Sequence, residues 1–167
     1  YEQMIKLKTS VLLAASLQMG AIIGGAGSGN QQHLYEFGKN LGIAFQVQDD
    51  YLDAFGDPEK FGKQPGGDII VNKKTFLMIH ALDVTTGAQR ELLNSLMKTV
   101  PVNESEKANK VEKVLRIFRD CEVDKWAAAL KEKYYHEAMH HLDEIAVLSS
   151  RKKELMVLAQ YLLQRDK

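Results

Sequence analysis

Apolar residues recur at three- and four-residue steps along most of the chain, which predicts helices rather than strands. The clearest stretch runs up to Phe55, with Leu41, Phe45, Gln48 and Leu52 at this spacing. Turn residues separate the periodic stretches, and no convincing strand pattern or repeat is present. The pattern predicts seven helices, over residues 1–23, 30–55, 74–84, 87–98, 103–120, 123–148 and 149–164. We therefore expect an all-α fold.

Local signals mark several of the predicted helix boundaries. A glycine cluster at 24–29 follows the first helix. Because it follows a helix and not a strand, we interpret it as a helix stop and turn and not as a dinucleotide-binding loop. Thr86 is a predicted N-cap, and Asn103 with Glu106 three residues later resembles a capping box.

Composition and charge narrow the class of protein. The chain has 167 residues, and its 22 Lys and Arg balance its 22 Asp and Glu. A chain without excess positive charge is a poor partner for nucleic acid, whose phosphates require a basic face. Cys121 is the single cysteine, so no internal disulfide can form and a cytoplasmic location is expected. The most apolar run, VLLAASLQMGAIIGG, is interrupted by Ser16 and Gln18 and is too short to span a bilayer. We expect one domain without a transmembrane segment.

Three acidic residues lie close together on the helix predicted over 30–55. Asp49 and Asp53 are four residues apart, so they share a helix face at about 6 Å, and Asp50 is rotated away from them. Like charges at this distance repel unless they are well solvated or share a divalent cation, and Mg²⁺ prefers oxygen ligands. Acidic pairs on helices are often solvated surface, so this spacing alone leaves both interpretations open.

The residues after Asp53 favour the interpretation that these carboxylates bind a divalent cation. A loop of Gly, Pro, Lys and Asp, GDPEKFGKQPGGDI, begins at Gly56, and Lys73 and Lys74 stand at the start of the next helix. Lysines on a glycine-containing loop, beside carboxylates that bind a metal, can neutralise the oxygens of a diphosphate that the metal bridges. The pattern predicts a magnesium-dependent diphosphate site.

Three linked blocks, FQxxDDxLDxxGD, GKxxGxDI and NKxT, resemble the second aspartate-rich region of trans-isoprenyl diphosphate synthases of the farnesyl and geranylgeranyl type. Upstream, Lys8 and Thr9 in KLKTSVLL resemble the Lys-Thr pair of that family. The resemblance covers essentially the whole chain but only the second half of the family's fold. It implies an isoprenoid-synthase-type helical bundle, here about seven helices of an incomplete bundle.

The resemblance implies a metal site built by four acids. Asp49 would be a direct ligand of Mg²⁺, and Asp50 and Asp53 would bind it directly or through water. Asp68 would order the water ligands of the metal.

The resemblance also implies the residues that contact the substrates. The lysines that would bind the diphosphate are Lys8, Lys63 and Lys73. Thr9 and the Gln46 amide oxygen would direct their dipoles at the carbon that becomes cationic, and Phe45 would lie beside the second substrate. Dipoles of this kind stabilise charge that develops only in the transition state.

The reaction that the resemblance implies is the condensation of isopentenyl diphosphate with an allylic prenyl diphosphate, catalysed by a prenyltransferase that is a homodimer. The family has two facing aspartate-rich motifs, whereas this sequence contains one. We therefore expect the chain to be the C-terminal half of such an enzyme and to be inactive alone. Positions that limit product length would belong to the other half.

Two alternatives remain open. The chain could be a non-catalytic helical subunit of the same superfamily. It also contains HExxH, with His136, Glu137 and His140 on a predicted helix, the spacing of a zinc peptidase. These three residues lie off the apolar stripe of that helix, and the extended pattern that would supply a third zinc ligand is absent.

Overall fold

The computed structural model describes residues 9–57 and 65–163. Over this part of the chain the secondary structure consists of eight α-helices and no strand, so the predicted all-α fold is confirmed. The helices are α1 (Val11–Ile23), α2 (Ser28–Phe55), α3 (Gly67–Ile70), α4 (Phe76–Val84), α5 (Gly87–Leu96), α6 (Glu104–Asp120), α7 (Val123–Asp143) and α8 (Ser149–Leu163). Among the described helices, none combines the length and the hydropathy needed to cross a membrane.

The predicted helices need two corrections, one for a missed helix and one for a helix end. The prediction of seven helices missed α3, a single turn inside the glycine-rich loop. The prediction that one helix runs from 123 to 148 is also wrong, because α7 ends at Asp143. The backbone N–H of Ala146 donates to Asn30 Oδ1 at 3.1 Å, so a side chain takes a donor that a continuing helix would have used. No Gly or Pro marks this stop in the sequence.

Of the two predicted N-caps, one makes the expected side-chain hydrogen bond and the other does not. The predicted N-cap at Asn103 is confirmed, since Asn103 Oδ1 accepts from the N–H of Glu106 at 2.9 Å, while the Glu106 carboxylate accepts from the N–H of Val102 and not from that of Asn103. Thr86 occupies the N-cap position of α5, but its side chain makes no capping hydrogen bond. A side-chain cap is found instead at Thr75, whose Oγ1 accepts from the N–H of Met78 at 3.1 Å.

The described chain divides into two compact units, and α2 and α7 each contribute residues to both. The first unit contains residues 49–57 and 65–128. Its central element is α6, which packs against α3, α4 and α5. The buried side chains of this core include Leu77, Leu93, Val114 and Phe118.

The second unit contains residues 9–48 and 129–163. Its core joins α2, α7 and α8 through Phe37, Leu41, Ala138, Leu142 and Leu163. These residues lie at helical spacing along each helix, which explains why the apolar pattern located the helices correctly.

Two glycines of α2 allow α1 to approach its backbone closely. A Cβ atom at Gly38 would lie 2.9 Å from Ala14 Cα, and one at Gly42 would lie 2.8 Å from Ser10 Cα. Real Cβ atoms do not come so close to backbone carbon, so only glycine permits this contact. Thr9 and Ser10 form a π-helical turn before α1. The close approach places Ser10, the neighbour of Thr9, against Gly42, one helical turn before Gln46.

One face of α1 exposes large apolar side chains. The exposed fractions are 70% for Leu12, 56% for Met19, 54% for Ile22 and 87% for Ile23. Leu12, Met19 and Ile23 lie seven and four residues apart and therefore on one side of α1, with the exposed Ser16 between the first two. This apolar stripe is typical of a contact face for another chain segment.

Candidate functional site

Asp50 lies at the start of α4, where it satisfies a backbone donor. Its side chain is fully buried, and its Oδ2 accepts from the N–H of Phe76, the first residue of α4, at 3.1 Å. The first N–H groups of a helix have no partner within the helix, and a carboxylate at this end is also favoured by the helix dipole. Thr75 caps the next free donor at Met78. Asp50 and Thr75 together fix where α4 begins.

Lys73 lies between two of the predicted site acids. Its Nζ is 2.5 Å from Asp68 Oδ2 and 3.5 Å from Asp50 Oδ1. Burial alone would lower the pKa of Lys73, but the hydrogen bond that Lys73 donates to Asp68 and the charges of Asp50 and Asp68 raise it above its ordinary value. Lys73 is therefore a cation at neutral pH, and its partly exposed ammonium can also meet a ligand.

Asp53 is partly buried and contacts the start of α3. Its Oδ2 accepts from the N–H of Asp68 at 2.9 Å, and its backbone oxygen accepts from the N–H of Gly66 at 2.6 Å. Burial raises the pKa of Asp53, and the negative charges of Asp68 and Asp49 raise it further. The hydrogen bond from the Asp68 N–H and the positive charge of Lys73 lower it, but the net shift is upward. An ionisable group held at an energetic cost, next to other charges, is typical of a functional site.

Gly66 makes this loop geometry possible. Its φ is +90°, and a Cβ atom there would lie 2.7 Å from both γ-carbons of Val111. Because any larger residue would be strained and would clash, only glycine can bring the N–H of Asp68 to Asp53 in this way. The motif GKxxGxDI thus contains a glycine with a defined structural role.

Asp50, Asp53, Asp68 and Lys73 are called the acid–lysine cluster below. All four belong to the first unit. The sequence analysis assigned each of them to the site, and the structure brings them together through the contacts given above. Residues of the second and third blocks of the resemblance, GKxxGxDI and NKxT, contact the aspartates of the first block here.

The cluster fits Mg²⁺ only in combination with a phosphate ligand. Asp49 is exposed and its charge acts on Asp53, so these two carboxylates face a common region. Throughout residues 9–57 and 65–163, no three His, Cys, Asp or Glu side chains converge on one point. Mg²⁺ is commonly bound by one or two carboxylates together with phosphate oxygens and water, which matches this set. That Asp50 also binds the metal stays a prediction.

The other predicted site residues lie elsewhere. Thr9, Phe45 and Gln46 are partly buried and belong to the second unit. Lys8 and Lys63 are outside the described residues.

Sequence reasoning missed two residues that shape the cluster. Thr75 precedes the apolar run FLMIHAL, which is an N-cap signal that could have been recognised. Lys110 is buried, and its Nζ donates to Asn72 Oδ1 at 2.5 Å. It stands in the charged stretch EKANKVEKV, where a lysine is expected to be solvated, so no sequence signal distinguished it.

The HExxH residues of α7 do not form a site. The His136 side chain is 77% exposed, and Glu137 and His140 are exposed as well. His136 Nε2 lies 4.0 Å from Glu132 Oε2, a surface contact one helical turn away. The zinc interpretation therefore has no support within the described part of the chain.

Solved structures with the same fold are isoprenyl diphosphate synthases. A crystal structure of geranylgeranyl pyrophosphate synthase is 40% identical with a TM-score of 0.86, and the alignment covers 100% of this chain and 51% of that one. The geranylgeranyl pyrophosphate synthetase from Pyrococcus horikoshii is 28% identical with a TM-score of 0.88, over 99% of this chain and 48% of that one. The chain thus has the all-α fold of this class of protein.

Sequence comparison gives the family. The polyprenyl synthetase family model matches residues 1–118. Geranylgeranyl diphosphate synthase from Saccharolobus solfataricus is 37% identical over 100% of the chain, and a short chain isoprenyl diphosphate synthase from Methanothermobacter thermautotrophicus is 32% identical over 99% of it. The chain belongs to the polyprenyl synthetase family. It spans about half the length of these relatives, 49% in both cases.

Replacing Asp50 by alanine is expected to lower the free energy of unfolding by about 2–3 kcal/mol, because the buried N–H of Phe76 loses its charged acceptor. The pair with Lys73 adds little, since the Lys73 side chain is 38% exposed and remains bound to Asp68. Chemical denaturation followed by circular dichroism measures the change.

The matched control for this stability prediction is Asp49→Ala. Asp49 is the preceding residue and is exposed, so its replacement should change the unfolding free energy by no more than about 0.5 kcal/mol. Equal losses in the two variants would contradict the role given to Asp50 at the start of α4.

Proposed function

We propose that the chain contributes the second metal and diphosphate site of a prenyltransferase that condenses isopentenyl diphosphate with an allylic prenyl diphosphate. The observation that carries this proposal is Lys73, a partly exposed cation held by Asp68 and Asp50, next to Asp53. Membership of the polyprenyl synthetase family supports the same reaction class.

In the proposed reaction, the C1–O bond of the allylic diphosphate breaks and diphosphate departs with the electron pair. The double bond of isopentenyl diphosphate attacks C1, a new carbon–carbon bond forms, and a proton is lost to the departed diphosphate. Mg²⁺, when bound, supplies positive charge to the oxygens of the leaving group.

The residues of the chain have distinct roles in this proposal. Asp49 and Asp53 hold the metal, and Asp68 orders its ligands while binding Lys73. Lys73 neutralises the remaining diphosphate charge, and Asp50 sets the position of Lys73 and of α4.

Five further residues complete the proposed site. Lys8 and Lys63 would contact diphosphate. Thr9 and Gln46 would stabilise the developing cation with preorganised dipoles, since positive charge appears at C1 only during reaction. Phe45 would line the space for the second substrate.

We also propose that the protein acts as a homodimer in the cytoplasm. The resemblance to the synthase family supports the dimer, and the single cysteine supports a reducing compartment.

An isopentenyl transfer assay tests the proposed function. The complete protein that contains this chain is incubated with radiolabelled isopentenyl diphosphate, an allylic diphosphate and Mg²⁺, and label is counted in the extracted prenyl product. We expect transfer that stops when EDTA is added and returns when Mg²⁺ is restored in excess. Absence of transfer with every allylic primer would contradict the proposal and favour a non-catalytic helical subunit.

A further inference from the structure

Lys110 of α6 is a buried cation bound only to neutral acceptors in the contacts that the structure describes. Its residue exposure is 3%, and its Nζ donates to Asn72 Oδ1 at 2.5 Å, to Thr99 O at 2.8 Å and to Ile70 O at 3.3 Å. A lysine ammonium has three donors, so all three are used. Burial lowers the pKa of Lys110. Burying a cation without a charged partner costs free energy, even when it is hydrogen-bonded. A buried lysine of this kind therefore suggests a specific role.

Two of the three acceptors, Ile70 and Asn72, lie between the cluster residues Asp68 and Lys73. Ile70 ends α3, where helix carbonyls lack donors within the helix. Asn72 has a φ of +56°, in the left-handed region, and its Nδ2 also donates to Thr99 O at 3.3 Å. Lys110 therefore ties the turn after α3 both to α6 and to the segment that precedes α6.

This turn carries a cluster residue at each end. Asp68 lies in α3, Lys73 follows Asn72 directly, and the N–H of Lys73 donates to Asp68 O at 2.9 Å. The anchored residues, Ile70 and Asn72, lie between these two ends. If the anchor were removed, the backbone that directs the Lys73 ammonium would lose its fixed conformation.

We propose that Lys110 is a positioning residue that holds the 68–73 turn so that Lys73 and Asp68 are aligned to bind a magnesium diphosphate. This role rests on the proposed function of the site. Lys110 itself does not touch the ligand, so it acts through Lys73. Its loss should weaken diphosphate binding even in molecules that remain folded.

The test replaces Lys110 by methionine in the complete protein and measures binding of inorganic pyrophosphate in the presence of Mg²⁺ by calorimetry. Loss of a residue that orients a ligand-binding group typically costs 10–100-fold, and we expect Kd to rise at least about 10-fold. Lys113→Met is the matched control, since Lys113 lies on the same helix and is exposed. Its Kd should equal that of the wild type.

A double-mutant cycle with Lys73→Met separates positioning from general destabilisation. If Lys110 acts through Lys73, Lys110→Met should have little further effect on Kd once Lys73 is absent. Additive effects, or an unchanged Kd with a lowered melting temperature, would overturn the proposal and leave Lys110 a purely structural residue.

A second variant tests the same role if Lys110→Met does not fold. Asn72→Gly keeps the left-handed conformation accessible but removes the acceptor, so it should raise Kd in the same way. If the wild type binds pyrophosphate normally and the variants have the same Kd, the positioning role of Lys110 is overturned but the proposed function is not. Absence of magnesium-dependent pyrophosphate binding in the wild type would overturn the proposed function, and this role with it.

Discussion

Replacing Asp53 by asparagine in the complete protein is expected to lower kcat/KM for prenyl transfer on the order of 10³-fold while leaving the fold at least as stable as the wild type. A ligand of a catalytic metal contributes several kcal/mol of transition-state stabilisation, and each 1.36 kcal/mol changes the rate about tenfold. Asparagine keeps a carbonyl oxygen that can still accept from the N–H of Asp68. It removes only the charge.

The stability part of this prediction follows from the raised pKa of Asp53. Burial raises that pKa above its ordinary value of 3.8, so the ionised carboxylate is less favoured in the folded state than in the unfolded state. The unfavourable contribution is absent below 3.8 and develops as the pH rises from there through the folded-state pKa. Above the folded-state pKa the wild type bears this cost, and the asparagine variant does not.

Two measurements check this prediction. Steady-state transfer kinetics give kcat/KM, and urea denaturation at neutral and at acidic pH gives the unfolding free energy of both proteins. The stability advantage of the variant should shrink at acidic pH. Asp120→Asn is a suitable control, because Asp120 is an exposed residue of the same unit, outside the cluster. Parallel losses of activity and stability in Asp53→Asn would show that Asp53 is a structural residue.

The 167-residue chain on its own is expected to show no detectable isopentenyl transfer. It spans 49% of the length of its synthase relatives and carries one aspartate-rich motif. The apolar stripe of α1, which includes Leu12 and Ile23, is exposed to water in the chain alone. Such a surface favours association with other molecules, so gel filtration should show self-associated species.

The comparison for this prediction uses equal molar amounts of the isolated chain and of the complete protein in the same labelled assay. Circular dichroism verifies that the isolated chain is helical, so that a lack of transfer is not caused by unfolding. Turnover by the isolated chain would show that the site described here is sufficient and that a second half is not required.

Periodicity was sufficient to predict the fold because the helices bury their apolar faces at regular steps. Phe37 and Leu41 on α2, and Ala138 and Leu142 on α7, illustrate this. Boundaries that depend on contacts distant in sequence could not be predicted. The end of α7 is set by Asn30, more than a hundred residues away, and no local residue signals it.

The candidate site, like the fold, could be predicted from the sequence only in part. The family resemblance implied that Asp53, Asp68 and Lys73 belong to one site, and each is a type of residue that metal–diphosphate chemistry uses. Their roles relative to one another needed the structure. Helical spacing placed Asp50 on a different face from Asp49, but it could not show that Asp50 is buried against the start of α4 whereas Asp49 is exposed.

The contact between α1 and α2 has a consequence for divergence within the family. Because Gly38 and Gly42 let main chain meet main chain, the distance between α1 and α2 at these positions depends on backbone geometry and hardly on the size of surrounding side chains. Substitutions of core residues elsewhere in this unit should therefore leave that distance unchanged. The two glycines themselves cannot be replaced without changing it.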